Sequence, residues 1–282
     1  MDATIDRVAE AIAPVPGVAA IALGGSRARG TATPASDIDV GLYYHRGAEP
    51  DVASLRAIVG GMVDDRDAAV VTEVGEWGPW IVGGGWLSIG GRKVDLLYRC
   101  LEAVEGVIHA CRSGEVTMAY QPGHPHGFSS AIWMGEVALC RPLHDPGGAL
   151  AALKALTRPY PEPLAAALVR RFLWEARFSA ENGALAVARG DATHIAGCAY
   201  RSLACVGQTL FALNRRYLIN EKGAIAEAAS FPVTVPRLDE RAHKVWRDIG
   251  RGAFADALAE LFAIDRDLAA LAVAEGHAGT SP

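Results

Sequence analysis

The chain has 282 residues, enough for about two domains, and its 51% apolar and 21% charged residues are typical of a globular protein with a sizeable core. A net charge of −5 excludes a general electrostatic attraction to nucleic acid. The five cysteines are scattered and form no Cys-x-x-Cys pair, so we expect neither a disulfide framework nor a zinc cluster, and a cytoplasmic location. No apolar run approaches the roughly 18 residues of a membrane span, so none is expected.

The first hundred residues alternate between helix and strand patterns. Residues 2–13 are predicted to form an amphipathic helix that ends at the prolines which follow. We then expect strands at 17–25, 36–44 and 68–74, a helix at 51–63, and a hairpin at 85–99 whose turn is Gly90-Gly91. This order predicts an α/β domain with a mixed sheet.

The second half of the chain is rich in alanine and has helical spacing almost throughout. Helices are expected at 148–157, 164–189, 192–218, 221–229, 237–249 and 254–274. The segment YQPGHPHGF at 120–128 is dense in proline, glycine and histidine, which indicates a connector. The predicted fold is therefore α/β plus all-α: a mixed-sheet α/β domain at 1–145 and a helical bundle at 146–282.

The stretch LGGSRARGTATPASDIDVGL, residues 23–42, combines a glycine turn with two carboxylates. Residues two apart on a strand share a face, so Asp37 and Asp39 should project together. Two such like charges repel unless a cation lies between them, and carboxylate oxygens at this spacing suit Mg²⁺. The sequence therefore predicts a metal site at the start of the second strand.

The turn Gly24-Gly25-Ser26 precedes this pair of acids. Glycine allows a ligand to approach the backbone closely, and a helix that starts there offers N–H groups to an anion. Arg27 and Arg29 add positive charge beside the turn. An anion site next to a metal site is the apparatus of phosphoryl or nucleotidyl transfer.

A third carboxylate, Asp95, lies alone in the apolar second strand of the hairpin. An unpaired charge there is costly, so we expect it to be solvated, paired or bound to metal. Pairing with Arg92 or Arg99 is the structural alternative.

The pattern of an apolar run, Gly-Gly-Ser, ten residues, Asp-Ile-Asp-Val and a later strand with one aspartate resembles the DNA polymerase beta superfamily of nucleotidyltransferases. Within it, the chain is most similar to the bacterial branch of aminoglycoside and lincosamide nucleotidyltransferases and their uncharacterised relatives. The motifs cover about 18–99, and LFALNRRYLINEKG and GHPHGF resemble segments of those relatives.

The resemblance implies transfer of a nucleoside monophosphate from ATP or another NTP to a hydroxyl of a small molecule, such as an aminoglycoside-like antibiotic, with release of pyrophosphate. Carried over residue by residue, it assigns Gly25 and Ser26 to the triphosphate and Asp37 and Asp39 to two Mg²⁺ ions. Asp95 would bind the metal beside the attacking hydroxyl. Residues 1–145 would then be the nucleotidyltransferase catalytic domain, and the bundle at 146–282 would bind the acceptor.

The chain departs from the family pattern at the general base. Some relatives carry a glutamate beside the third aspartate, whereas Val94 and Leu96 flank Asp95 here. The proton would then pass to Asp95, to Glu73 or Glu76, or would be lost with help from the metal alone. Lys222 is a further candidate for triphosphate binding, although a solvated lysine is the plainer reading.

Several alternatives remain at this point. The acceptor could be a protein or an RNA end, but RNA would demand a basic stripe, which the sequence lacks. The domain could also bind a nucleotide without catalysis, which three intact acids disfavour.

For His124 and His126, a structural or substrate-facing role is favoured over metal binding. Trp77, Trp80 and Trp86 crowd the predicted hairpin, where one could line the acceptor pocket.

Overall fold

The computed structural model of the chain describes residues 2–277, which divide into two compact units. The first unit runs up to His109 and resumes at Trp133–Pro159. The second comprises Ala110–Ile132 and the chain from Tyr160 onward. Each unit thus consists of two stretches of sequence, whereas the two predicted domains are continuous. No helix within residues 2–277 has the length and apolar character needed to cross a bilayer.

Strands and helices alternate in the first half of the chain, and helices follow one another in the second half. The strands are β1 (Ala20–Leu23), β2 (Ile38–Tyr44), β3 (Val70–Val71), β4 (Gly84–Ile89), β5 (Arg92–Cys100), β6 (Met118–Ala119), β7 (Phe128–Ser129) and β8 (Arg141–His144). The helices are α1 (Ala3–Ile12), α2 (Gly25–Arg29), α3 (Val52–Gly60), α4 (Leu101–Arg112), α5 (Ala131–Leu139), α6 (Ala149–Leu156), α7 (Glu162–Ala186), α8 (Ala192–Leu213), α9 (Ala224–Ala228), α10 (Leu238–Gly250) and α11 (Phe254–Ala274).

The first unit is built on a six-stranded sheet with the order β3-β4-β5-β2-β1-β8. β2 and β5 run parallel, while the other neighbouring strands are antiparallel. The predicted mixed sheet is therefore confirmed. Its core joins apolar residues of α1 and α3, such as Ile12 and Leu55, to alternate strand residues such as Val40, Val94 and Leu96.

The predicted hairpin is present, and its turn shows why glycine is needed there. Gly90 and Gly91 both have positive φ angles, +61° and +71°, a region that other residues rarely adopt. The Asp64 carboxylate accepts hydrogen bonds from both of their N–H groups, at 2.7 and 2.8 Å. The turn thereby fixes the register of β4 on β5.

The second unit is helical, as predicted, but two of its helices are shorter than expected. α8 ends at Leu213 instead of 218, because Arg215 takes a left-handed conformation with φ +54° and the Asn214 side chain bonds back to Leu210. α9 is confined to Ala224–Ala228 and begins after Gly223, whose φ is +70°. The sequence patterns also missed α4, α5 and β8.

Candidate active site

Five residues lie side by side across the sheet of the first unit. Asp39 on β2 pairs in register with Asp95 on the parallel strand β5. Asp95 in turn pairs with Trp86 on β4, and Trp86 pairs with Val70 on β3. On the other side, the N–H of Gly24 donates to the carbonyl of Asp39 at 2.8 Å. We call this row, Gly24-Asp39-Asp95-Trp86-Val70, the acid row.

The two aspartates of the acid row share the sheet face opposite the core of the first unit. Their strand neighbours Ile38, Val40 and Val94 are fully buried in that core, so the alternation of a strand turns Asp39 and Asp95 the other way. Both aspartates are half-buried. Adjacent strands lie about 4.8 Å apart, so two carboxylates meet at close range on one surface.

Further along the same face, the sheet is covered by residues of α5. Arg99 is buried, and its guanidinium binds both carboxylate oxygens of Glu136 at 2.9 Å while lying 5.8 Å from the centre of the Trp133 ring. Burial also raises the pKa of the neighbouring Tyr43 hydroxyl well above its usual value. The Arg99 guanidinium is therefore engaged with Glu136.

The glycine turn lies directly against the Asp39 carboxylate. Gly25 has a φ of +58°, and a Cβ atom placed on it would lie 1.8 Å from Oδ2 of Asp39. A side chain at this position would therefore collide with the carboxylate as well as strain the backbone. The close approach joins the predicted triphosphate turn, Gly25 and Ser26, to the predicted metal ligands in one site.

Asp37 lies one residue before β2 and is half-buried. The set of Asp37, Asp39 and Asp95 supplies only carboxylate oxygens, the ligand type that Mg²⁺ prefers. Carboxylates side by side repel one another, and a divalent cation bound between them offsets that repulsion. The donor set therefore fits a divalent metal ion.

Residues 5–104 match the family model of the nucleotidyltransferase domain. The N-terminal part of this chain is a nucleotidyltransferase domain. The protein is accordingly a transferase, and a nucleotide is its substrate. The predicted membership of the polymerase-beta-like superfamily is confirmed, whereas its aminoglycoside and lincosamide branch stays a prediction.

No curated protein matches the chain. Among solved structures, the crystal structure of a nucleotidyltransferase-like protein from Exiguobacterium sibiricum 255-15 is similar over 96% of this chain and 78% of that one. Its sequence identity to this chain is 10%, with a TM-score of 0.40.

Arg27 of the nucleotidyltransferase domain binds the backbone just before β2. Its Nε donates to the carbonyl of Asp37 at 3.0 Å, and its Nη2 donates to the carbonyl of Ser36 at 2.6 Å. Nη1 lies 3.7 Å from the carboxylate of Asp2. A hydrogen bond from Arg92 is the main cause that lowers the pKa of Asp2. Arg27 thus holds the segment that carries Asp37, a contact that sequence spacing does not reveal.

The other predicted nucleotide-binding residues lie as follows. Ser26 is in the first turn of α2, and its carbonyl accepts from Thr31 at 3.0 Å. Arg29 is the last residue of α2 and is half-buried. Lys222 belongs to the second unit, where it is exposed in the turn before α9 and its N–H donates to Asn220. Nucleotide binding by these residues stays a prediction.

The two glutamates considered as general bases are engaged elsewhere. Glu73 binds Arg56 at 2.7 Å, and Glu76 accepts the backbone N–H of Glu73 at 3.2 Å. Asp95 is the carboxylate that lies in the acid row itself. The identity of the general base stays a prediction.

Trp86 is exposed at 55% and stacks on Trp77, with ring centres 4.5 Å apart and planes inclined by 19°. Trp80 is instead anchored to Trp133, whose Nε1 donates to the Trp80 carbonyl at 3.1 Å. The position of Trp86 beside Asp95 was predictable, because a two-residue turn at Gly90-Gly91 makes them cross-strand partners. The stacked pair therefore forms an aromatic end to the acid row.

Proposed function

We propose that the enzyme transfers a nucleoside monophosphate from ATP or another NTP to a hydroxyl of a small molecule and releases pyrophosphate. The observation that carries the proposal is the register pairing of Asp39 with Asp95, with Gly25 packed against Asp39. This arrangement brings a phosphate-accepting turn and a carboxylate metal site together, as nucleotidyl transfer requires.

In this proposal, Asp37, Asp39 and Asp95 hold two Mg²⁺ ions, which supply charge neutralisation at the transferring phosphorus. Gly25 and Ser26 bind the β- and γ-phosphates. Asp95 orients the acceptor hydroxyl and takes its proton as the new O–P bond forms. The bond between the α-phosphorus and the bridging oxygen breaks, and pyrophosphate leaves on the side of Gly25.

The order of residues in the acid row supports an acceptor site at Trp86. Attacking and leaving oxygens lie roughly in line in phosphoryl transfer. With pyrophosphate at Gly25 and the metal ligands in the middle, the hydroxyl approaches from the side of Asp95 and Trp86. Trp86 is one strand away from Asp95, about 5 Å. A ring face of the acceptor can therefore stack on the indole.

Two acceptor classes compete, and the site favours the small molecule. A net charge of −5 and a sequence without a basic stripe disfavour an RNA backbone and suit a neutral or cationic molecule. An aminoglycoside-like antibiotic has the required charge and hydroxyl groups. Modification of a protein or an RNA end is the alternative outcome of the test.

The test incubates the protein with Mg²⁺ and each of the four NTPs labelled at the α-phosphate. Separate reactions contain a panel of aminoglycosides and other amino sugars, a protein lysate, or total tRNA. We expect label in the small-molecule fraction and release of pyrophosphate, both absent for Asp39→Asn. Label in protein or tRNA would overturn the acceptor class, and release of pyrophosphate by Asp39→Asn at the wild-type rate would overturn the site.

Trp86→Ala tests the proposed acceptor end of the acid row independently of the nucleotide end at Gly25. Loss of one stacking face should raise the KM for the acceptor about fivefold, because such contacts contribute on the order of 1 kcal/mol. The KM for NTP should stay within about twofold. Trp246→Ala, an equally drastic change at a partly exposed tryptophan of the second unit, is the matched control. An increase confined to the KM for NTP would contradict the acceptor assignment.

A further inference from the structure

A second group of metal-binding side chains lies inside the helical unit. His126 is in the loop between β6 and β7, Glu175 is on α7, and Cys205 is on α8. One ligand atom from each residue can be chosen so that all three atoms lie within 4.8 Å of one another. The three residues are 4%, 7% and 0% exposed. Imidazole, thiolate and carboxylate are the side chains that bind zinc in proteins.

The distance between two of the ligands is already that of a zinc site. Sγ of Cys205 lies 3.3 Å from Nε2 of His126. With zinc–sulfur and zinc–nitrogen bonds of about 2.3 and 2.05 Å at a tetrahedral angle, these atoms are about 3.5 Å apart. One ligand atom from each of the three residues lies within 4.8 Å of the others, so a small shift brings all three to one ion.

The surroundings of His126 hold its ring in place. Its backbone N–H donates to Oε1 of Glu221 at 3.2 Å, and its ring packs 5.5 Å from the ring of Phe172. Nδ1 of His126 is buried and has no hydrogen-bond partner within residues 2–277. Nε2 is the ring nitrogen that faces Cys205 and would bind the ion, whereas Nδ1 needs a separate partner such as a buried water molecule.

Arg201 is the side chain that competes with a cation here. It forms an ion pair with Glu175, and 52% of its side chain is exposed. Because the guanidinium reaches Glu175 from the solvent side, it can withdraw without disturbing the packing of α7 and α8. In the metal-free unit it neutralises the carboxylate, which is the role that a zinc ion takes over.

We propose that His126, Glu175 and Cys205 bind a zinc ion, with a water molecule at the fourth position. The ion ties the loop at 120–128 to α7 and α8, which gives the GHPHGF segment a structural purpose. The close spacing of His124 and His126 predicts no metal site. Local spacing cannot reveal this group, because Cys205 lies 79 residues from His126.

The test is the metal content of the full-length protein, purified without chelator from cells grown with added zinc. We expect a zinc-to-protein ratio near unity by mass spectrometry. Exchange with cobalt chloride should produce a thiolate-to-cobalt charge-transfer band in the near ultraviolet. Cys205→Ser and Glu175→Gln should each lower the zinc content at least tenfold.

Cys198→Ser is the matched control for these variants. Cys198 also lies on α8 beside a histidine, with Sγ 3.5 Å from Nε2 of His194, but it is not part of the buried group with Glu175. We expect it to retain full zinc content. Wild-type protein with less than a tenth of an equivalent and no cobalt band would overturn the proposal, as would Cys205→Ser that retains zinc. If Cys205→Ser does not fold, the wild-type measurement alone decides.

Discussion

The two units use polar side chains in opposite ways. In the first unit, Asp39 and Asp95 stand side by side, so like charges meet on a half-buried surface. In the second unit, Asp248 is 3% exposed but lies 2.8 Å from Lys244 and 2.5 Å from Arg251. Like charges brought together lower stability unless a ligand binds between them, whereas opposite charges complete the fold. The first arrangement therefore indicates function, and the second indicates stabilisation.

The comparison predicts that losing a carboxylate from the acid row abolishes transfer without unfolding the protein. Asp39→Asn should lower kcat/KM by about 10³-fold or more, about 4 kcal/mol, because a metal ligand that acts in the transition state is lost. The melting temperature without metal should stay level or rise, since repulsion with Asp95 is relieved. Asp95→Asn should behave in the same way.

Asp67→Asn is the control for both variants, because Asp67 is an exposed aspartate of the same unit. It should leave kcat/KM and the melting temperature unchanged, which rate assays and thermal unfolding measure directly. An Asp39→Asn protein with more than a tenth of wild-type activity would end the metal-ligand assignment.

A second prediction concerns the contact between the glycine turn and Asp39. Gly25→Ala should lower kcat/KM by about 10²-fold, about 3 kcal/mol, because its Cβ displaces the carboxylate. Gly30→Ala is a matched control, since Gly30 also has a positive φ of +73° but its Cβ would meet nothing within 4 Å. Both should lose roughly 1 kcal/mol of stability through backbone strain. Equal activity losses would show that strain alone is responsible.

Much of this candidate site was predictable from the sequence, because its parts are local or fixed by turns. The spacing of Asp37 and Asp39 needs only the two-residue repeat of a strand. The register of Trp86 on Asp95 follows from the turn at Gly90-Gly91. The closeness of Asp95 to Asp39 was expected only from the family resemblance, since no local rule brings β2 and β5 together.

What the sequence did not reveal depends on long-range packing. α5 has apolar residues all round, without the periodic polar face that marks a helix, because it is almost wholly buried. β8 has only four residues, including a proline, and it pairs with β1 from far along the chain. The hydrogen bonds from Arg27 to two backbone carbonyl groups could not be predicted either. Every residue has a carbonyl acceptor, so the sequence does not indicate which one an arginine binds.

A third prediction addresses the helical unit. Glu221 is 14% exposed at its side chain and lies 3.4 Å from Nδ1 of His124, besides accepting the N–H of His126. Burial raises the pKa of Glu221, but the contact with His124 and the backbone N–H groups outweigh it and lower the pKa below the ordinary value. Glu221→Ala removes the contact with His124 and leaves the backbone N–H of His126 without its acceptor, which should cost about 2 kcal/mol of unfolding free energy in urea.

The adjacent Lys222→Ala is the control for stability, because truncation of this exposed side chain should change the free energy of unfolding by less than about 0.5 kcal/mol. The same variant tests whether Lys222 binds the triphosphate, since its KM for NTP would then rise. A Glu221→Ala protein as stable as the wild type would contradict the contrast between the units.

The smallest predicted effect separates two roles for Arg27. If its charge serves the triphosphate, Arg27→Lys should keep kcat, because a lysine is also a phosphate binder. If it positions Asp37 through the carbonyl groups of Ser36 and Asp37, the lysine cannot reproduce the fork, and kcat should fall about tenfold, about 1.4 kcal/mol, with the KM for NTP nearly constant. We expect the second result, measured by steady-state kinetics beside Arg46→Lys, a control at an exposed arginine of the same unit. An unchanged kcat with a raised KM would return Arg27 to the nucleotide.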